Sequence, residues 1–485
     1  MTKIPKLLMV LFLVFLSVEG FSRATTAKFT VQQLKEDYRL LLTSLKEAHP
    51  GLYRYTPKEE FENQAKLIEN KLDHAMTEEE FYKLVMPLIA NIKCGHTKWH
   101  RQDKPDDRYP FVTDNIFPLK LYFVDNKAYV VKSYGKGKSI PAASEIVSIN
   151  GKNTREIIKQ LRPYITIDAN VQSALYEELN SSFNGYYASF IADTPFYEIE
   201  YKVANKQLKA RLKGLRLDAI RKIESDTKKK NQLPLRLSKP TRDVAILTIE
   251  RFYVNQNEPD YYKFIDSVFA ALKTENIQNL IIDVRYNEGG IEEYGGYLYS
   301  YLSDKDFVYY KKITLAQKDE FSFKKYAWLP EKYDQARQLI QEKDGEFLWP
   351  MQEYLQQKSP KPNAFNGKVY MLTNGFSFSV TSELAAVVHH NKRAVFVGEE
   401  TGGAYYGDNS GVFTSVTLPN TKLTAGIPLM GFYMNVFGNP YKDRGIIPDY
   451  EVKKTVSDVI NNRDAVMDYT LNLIKRNKEE SVSLY

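Results

Sequence analysis

Thr373-Asn-Gly-Phe-Ser-Phe-Ser-Val-Thr-Ser-Glu383 follows directly on an apolar, strand-like run at residues 369–372 and leads into a helical pattern. A hydroxyl on such a strand-to-helix turn is held clear of the sheet, and the free N–H groups at the helix start favour developing negative charge. We therefore interpret Ser379 as a nucleophile. The alternative is that these are ordinary turn residues and that the serine is an N-cap. This segment alone favours the ordinary turn, and two other segments change the balance.

A second segment joins a buried-type strand to paired glycines: Asn279-Leu-Ile-Ile-Asp-Val-Arg-Tyr-Asn-Glu-Gly-Gly290. Without a Cβ, the backbone N–H groups of such a loop can approach a ligand closely. The loop could thus supply donors to an oxyanion from Gly289 or Gly290. The alternative is a plain turn that uses glycine for a positive φ.

The third segment is Lys93-Cys-Gly-His-Thr-Lys-Trp-His100, which follows a helical pattern and places His96 after a glycine in a predicted turn. Histidine is the natural base near neutral pH, so His96 is a candidate general base. A single histidine is more often a surface residue or a satisfied core residue. To that ordinary class we assign His49, His74, His389 and His390.

Taken in order, these three segments closely resemble the tail-specific or C-terminal processing serine peptidases. Two further motifs extend the resemblance: Arg393-Ala-Val-Phe-Val-Gly-Glu-Glu-Thr-Gly-Gly403 is similar to the family's next strand and turn, and Gly445-Ile-Ile-Pro-Asp449 to its closing segment. The resemblance covers roughly residues 28 to 475. Each motif is loose alone, but five in the family's order form a specific signal.

One departure concerns the base. The Ser-Lys members of the family carry a lysine a few residues beyond the Gly-Glu-x-Thr turn, where this chain has Ala404. Lys392 lies before the strand and is a poor substitute. The chain instead resembles the tricorn-core-like branch, in which a histidine from an N-terminal segment serves as the base, and His96 fits that position. An imidazole with a pKa of about 6.5 suits this role at neutral pH.

The resemblance implies peptide hydrolysis through an acyl-enzyme: Ser379 attacks the carbonyl and His96 takes its proton, then protonates the leaving amine. The oxyanion would lie between the N–H of Val380 and that of either Gly289 or Gly290. For a third group, which orients the histidine, the branch implies an acid near the closing segment, here Asp443. This residue could equally be an ordinary turn residue. Glu399 and Glu400 are the fallback candidates, and Gly95 stands where the branch has a helping serine.

The expected fold class is multidomain α/β, and the resemblance implies a ClpP/crotonase-like α/β protease core. Capping patterns and apolar spacing predict a helical N-terminal domain at residues 28–105, and alternating strands with tight turns predict a degenerate PDZ-like, β-rich domain at 110–215. A lysine- and proline-rich segment, 216–243, is interpreted as a basic linker. Alternating strands and helices place the α/β peptidase core at 244–475.

The N-terminus has the pattern of a secretory signal peptide, predicted to span residues 1–24: Lys3 and Lys6 precede an apolar run at 7–18 and a small-residue region. The run is short for a membrane span, which needs about 20 residues. We therefore expect a protein secreted across the inner membrane, periplasmic or extracellular, with no stable membrane insertion after signal removal.

Composition limits the possible partners and cofactors. The formal net charge of +7 is dispersed, so nucleic acid is not indicated, and polypeptide substrates are the expected partners. Cys94 is the only cysteine, which excludes an intramolecular disulfide. Cys94, His96 and His100 offer ligand types but are weak evidence for zinc, so neither a metal site nor a cofactor is predicted.

Two other functions fit the same sequence. The chain could be a binding protein for peptides or hydrophobic ligands on the same scaffold, because fold resemblance cannot exclude lost catalysis. It could also be an envelope scaffold whose PDZ-like region recruits partners. The retained Ser379, His96 and paired glycines favour an enzyme over both.

Overall fold

The computed structural model describes residues 27–102, 108–111, 114–135, 139–225 and 233–483. The chain is a multidomain α/β protein, as predicted. Within these ranges the helices are α1 (Val31–Ala48), α2 (Lys58–Lys71), α3 (Glu78–Asn91), α4 (Thr154–Leu161), α5 (Gln172–Phe190), α6 (Leu217–Ser225), α7 (Tyr261–Thr274), α8 (Glu292–Leu302), α9 (Tyr333–Arg337), α10 (Val380–His390), α11 (Val456–Ile460) and α12 (Ala465–Ser483). None of the described helices combines the length and apolar character needed to cross a membrane. The predicted signal peptide, residues 1–24, lies outside the described residues.

The strands form three sheets. They are β1 (Lys98–Arg101), β2 (Leu119–Val124), β3 (Lys127–Ser133), β4 (Glu145–Ile149), β5 (Lys152–Asn153), β6 (Phe196–Val203), β7 (Lys206–Lys213), β8 (Leu235–Thr241), β9 (Val244–Ile249), β10 (Asn279–Asp283), β11 (Tyr310–Leu315), β12 (Ala327–Trp328), β13 (Gln341–Lys343), β14 (Glu346–Leu348), β15 (Lys368–Thr373), β16 (Val395–Gly398), β17 (Asn409–Thr417), β18 (Leu423–Met434) and β19 (Tyr450–Glu451).

The N-terminal region is helical, and its helices begin where the capping patterns indicate. Thr30 caps α1 and Thr77 caps α3, each through a reciprocal capping box with the residue three positions later. Helix α2 differs: its N-cap is Pro57, and the Thr56 hydroxyl donates to the carbonyl of Asn91 instead. The apolar stripe of α1 is fully buried, as the spacing predicts.

The second region is an antiparallel sheet in the order β2-β3-β4-β6-β7, with β5 paired to β4. Helix α5 packs along β2, an edge strand, and partly covers it. The backbone N–H of Phe123 donates to Asn180 Oδ1 at 2.6 Å, and that of Asn126 donates to the Tyr176 hydroxyl at 3.0 Å. Since Asn180 occupies a β2 donor that an added peptide strand would use, this edge is partly blocked. The PDZ-like assignment stays a prediction.

The core sheet has the order β19-β16-β15-β10-β9-β8, in which only β8 runs antiparallel to its neighbour. Residues 216–243 are therefore not a linker throughout, because they contain α6 and the edge strand β8. Pro240 is tolerated there since an edge strand needs hydrogen bonds on one side only. Strands β10 and β15 are parallel neighbours, so the loops that follow them lie side by side.

The third sheet is also antiparallel, and it joins the N-terminal region to the core. Its order is β12-β17-β18-β11-β14-β13, and β1 pairs with β18 from Lys98 opposite Gly426 to Arg101 opposite Leu423. The buried carboxylate of Asp37 on α1 adds a second attachment. It accepts the backbone N–H groups of Asn420 at 3.0 Å and Thr421 at 2.7 Å, in the turn between β17 and β18.

Replacing Asp37 by alanine should lower the free energy of unfolding by about 2 to 3 kcal/mol, because buried donors of the β17–β18 turn lose a charged acceptor. The matched control is Asp73→Ala, since Asp73 is an exposed acid of the same region and its loss should leave the free energy of unfolding unchanged. Urea titration of both variants measures the difference. Equal free energies of unfolding in the two variants would show that the hydrogen bonds of Asp37 to the β17–β18 turn do not stabilise the fold.

Candidate active site

The two glycine- and serine-bearing loops meet at the carboxyl ends of β10 and β15. The Ser377 hydroxyl donates to the Val284 carbonyl at 2.9 Å, and the Phe378 N–H donates to the Asn287 carbonyl at 3.1 Å. These bonds tie the turn before α10 to the loop after β10. The fold thereby places Ser379 next to the paired glycines predicted to accompany it.

Ser379 occupies a strained position at the start of α10. Its φ of 56° and ψ of −131° are rare for a residue with a side chain, and the side chain does not cap the helix. Strain of this kind is typical of a serine mounted on a sharp strand-to-helix turn, where the hydroxyl is presented rather than used locally. The N-cap alternative for its side chain is therefore excluded, although the residue occupies the N-cap position.

Gly289 and Gly290 have different roles in the loop. The N–H of Gly289 donates to Asn287 Oδ1 at 2.9 Å, so it is already engaged. A Cβ on Gly289 would lie 2.7 Å from Ser379 Cβ and 3.0 Å from the nitrogen of Val380. Among the described residues no acceptor takes the N–H of Gly290 or of Val380. Gly289 thus keeps space open, whereas Gly290 and Val380 offer free donors.

His96 lies beside the turn that carries Ser379. It follows α3 and precedes β1, and its ring stacks on Phe378, the residue before Ser379, with centroids 4.5 Å apart. Burial lowers the pKa of His96, Lys98 lowers it further, and Asp408 opposes both. The imidazole is therefore neutral near pH 7 and able to accept a proton. Its Nδ1 is buried and has no hydrogen-bond partner among the residues that the structure describes.

The packing of Phe378 against the backbone favours a glycine at position 95. A Cβ at this position would lie 2.8 Å from Cζ of Phe378, so a serine cannot occupy it without displacing the ring on which His96 stacks. The Gly95 N–H donates to Oδ1 of Asp168 at 2.7 Å. The helping serine of the branch is thus sterically excluded here.

Asp168 is the residue that sequence reasoning missed. It lies in the loop before α5 and is only 2% exposed. Its Oδ2 has no hydrogen-bond partner within the described part of the chain. A carboxylate oxygen lies within 4.8 Å of a ring nitrogen of His96. Burial, with a contribution from Asp408, raises the pKa of Asp168 to about 7. No spacing signal links it to His96, because the two lie in different regions of the chain.

The acids predicted near the closing segment have other partners. Asp443 accepts from Asn170 Nδ2 at 2.5 Å, two residues beyond Asp168, and no contact among the described residues joins it to His96. Glu400 forms a bidentate ion pair with Arg444 at 2.7 Å. Glu400 is thus committed to holding the closing segment, and Asp443 reaches only the loop that carries Asp168.

Glu399 lies elsewhere, in a cleft of about 440 Å³ between β2, α5 and the core sheet. The cleft is lined by charged and aromatic side chains that include Glu177, Tyr286 and Lys453, but by neither Ser379 nor His96. Burial raises the pKa of Glu399. Its surroundings give it no access to the imidazole.

No lysine replaces the histidine among the described residues around the serine. Ala404 is 2% exposed, and its methyl side chain offers no base. Lys392 follows the C-terminal end of α10, whereas Ser379 precedes its first turn. A helix of 11 residues separates them by about 16 Å.

Comparisons with known proteins assign the core to a family. Residues 243–452, which contain the strand-end loops and Ser379, match peptidase family S41. This match confirms the resemblance to the C-terminal processing peptidases, and the protein is a serine-type peptidase. The comparison with curated protein sequences found no match.

Solved structures show the same fold. Mature CPAF is 14% identical, with a TM-score of 0.63 over 90% of this chain and 95% of its own. Mature CPAF in complex with lactacystin is also 14% identical, with a TM-score of 0.65 over 94% of this chain and 99% of its own. At this identity the likeness establishes the fold and not the residues that act.

Replacing Gly289 by alanine should reduce peptidase activity by about 100-fold or more, because the new Cβ would displace Ser379 and the Val380 N–H. The matched control is Gly345→Ala in the turn between β13 and β14, where φ is also positive at 77° and nothing lies within 4 Å of the added Cβ. Both variants carry similar backbone strain. If both lose activity equally, strain and not the steric contact is responsible.

Proposed function

We propose that this S41 peptidase hydrolyses peptide bonds of exported polypeptides through an acyl-enzyme, with Ser379 as nucleophile and His96 as base. The observation that carries the proposal is the stacking of the His96 ring on Phe378, directly before Ser379. A histidine that the fold brings from a distant segment to this position can take the proton of the serine hydroxyl and so activate it.

The reaction follows from the groups around the serine. Nε2 of His96 takes the hydroxyl proton as Ser379 attacks the carbonyl, and it later gives that proton to the leaving amine. The N–H groups of Gly290 and Val380 hold the oxyanion, supported by the N-terminal end of α10. Gly289 is not the second donor in this scheme, since its N–H is engaged by Asn287.

Asp168 is proposed as the positioning residue for His96, in place of Asp443. The support is its burial, its unpartnered Oδ2 and its distance of at most 4.8 Å from a ring nitrogen. Such a hydrogen bond is often long without substrate and shortens in the reacting complex. A carboxylate on Nδ1 would fix the tautomer that leaves Nε2 free to accept a proton.

Exported polypeptides are proposed as the substrates because the first 24 residues carry the pattern of a secretory signal. The site would then work outside the inner membrane, in the periplasm or beyond the cell. That location is oxidising, but an intramolecular disulfide cannot stabilise the chain there, because Cys94 is its only cysteine.

The direct test uses residues 25–485 with casein as an unfolded substrate. Ser379→Ala and His96→Ala should each lower hydrolysis by about a thousandfold or more. A fluorophosphonate probe should label Ser379 in the unchanged protein, as mass spectrometry of the modified peptide would reveal. The matched control His74→Ala removes an exposed histidine of the same region and should leave hydrolysis unchanged.

Each other result has a definite meaning. Equal hydrolysis by the Ser379→Ala variant and the unchanged protein would exclude Ser379 as nucleophile. An inactive, unlabelled protein that binds peptides or hydrophobic ligands tightly would favour the carrier function.

Replacing Asp168 by asparagine should lower kcat for casein-derived peptides by about 100-fold to 10,000-fold with little change in KM, because the imidazole loses its orientation while substrate contacts stay. Asp168→Glu should recover part of the loss. Asp443→Asn is the matched control and should stay within about tenfold of the unchanged enzyme. A larger loss in Asp443→Asn than in Asp168→Asn would assign the positioning role to Asp443.

A further inference from the structure

Three residues that carry different metal-ligating groups form a cluster, and the imidazole of His96 is one of these groups. The Sγ of Cys94, a ring nitrogen of His96 and a carboxylate oxygen of Asp168 all lie within 4.8 Å of one another. Cys94 and His96 are separated by a single glycine, so one turn carries both. The fold supplies the third group from a distant loop. Sequence reasoning considered His100 for that place and could not foresee Asp168.

Two atoms of this cluster lack the partner that burial normally requires. Nδ1 of His96 and Oδ2 of Asp168 are buried and accept or donate no hydrogen bond among the described residues. Asp168 is 2% exposed and Cys94 is 1% exposed. Buried polar atoms are nearly always paired, so two unpaired atoms on residues of one cluster make the cluster a candidate for a bound group.

We propose that Cys94, His96 and Asp168 form an inhibitory Zn²⁺ site in which the cation occupies the imidazole and stops proton transfer from Ser379. Thiolate, imidazole and carboxylate are the ligands that zinc prefers, and three protein ligands leave a fourth position for water. The inhibitory part rests on the proposed function, because it requires His96 to be the base.

The geometry needs only a small closure. With zinc-to-ligand bonds of about 2.0 to 2.3 Å, tetrahedral ligands lie about 3.5 Å apart. The three ligand atoms lie at most 4.8 Å apart in the structure. Side-chain shifts of about 1 Å would therefore bring them to the separation that bound zinc requires. The backbone around the site is already fixed, since Oδ1 of Asp168 holds the Gly95 N–H at 2.7 Å. That bond orients the carboxylate from outside the ligand set.

The bound cation would switch the enzyme off reversibly. The imidazole would be locked in one orientation against a positive charge, and it could no longer gain a proton from the serine hydroxyl. Asp168 would at the same time leave its positioning role. Removal of the metal by a chelator would restore both groups without any covalent change.

The experiment adds zinc chloride to the metal-free chain of residues 25–485 and measures binding by competition with a chromophoric chelator. One equivalent should bind, and Cys94→Ala should weaken binding by at least about 100-fold. Cobalt(II) in the unchanged protein should give a thiolate-to-metal charge-transfer absorption that the variant lacks. His74→Ala, which removes an exposed histidine paired with Asp73, is the control for adventitious surface binding.

Activity gives the second readout. Metal-free Cys94→Ala should hydrolyse casein at the unchanged rate and resist zinc concentrations that silence the unchanged enzyme. Binding without the cobalt thiolate absorption, or with equal affinity in Cys94→Ala, would overturn the site. Zinc that binds through Cys94 but leaves hydrolysis unaffected would overturn the inhibition. Thiolate-dependent binding in a protein with no hydrolysis under any condition would retain the metal site and reject the proposed function instead.

Discussion

The pairing of β1 with β18 is the interaction on which the candidate site depends. His96 lies two residues before β1, and this short strand adds to a long strand of the core, with Trp99 fully buried. Backbone pairing fixes the position of a strand to within its register, because a slip of one residue would turn Trp99 outwards. The histidine is therefore held against the core by a sheet, and the site is assembled from two regions that are distant in sequence.

The remaining parts of the site follow from the topology of the core. Parallel neighbours end at the same edge of a sheet, which brings the loops after β10 and β15 together. The strained Ser379 lies in close contact with Gly289, and only a residue without a Cβ fits beside the serine. Gly95 obeys a similar restriction, because a Cβ at that position would meet the ring of Phe378.

Local patterns predicted much of this fold, whereas long-range pairings could not be predicted. The capping boxes at Thr30 and Thr77 depend on residues three positions apart, and the helices begin there as the capping patterns predict. Strand β8 was hidden in a basic, proline-containing segment because an edge strand tolerates both features. Asp168 could not be found, because an acid in a loop has no periodicity that points to a histidine in another region.

The distance between Ser379 Oγ and His96 Nε2 tests the central claim most directly. It can be measured in a crystal structure of residues 25–485 carrying a covalent phosphonate on the serine, which holds the site in its reacting arrangement. We expect Nε2 within about 3 Å of Oγ or of a phosphonate oxygen, as proton transfer requires. An imidazole farther than about 6 Å away, or a lysine ammonium in its place, would contradict the account.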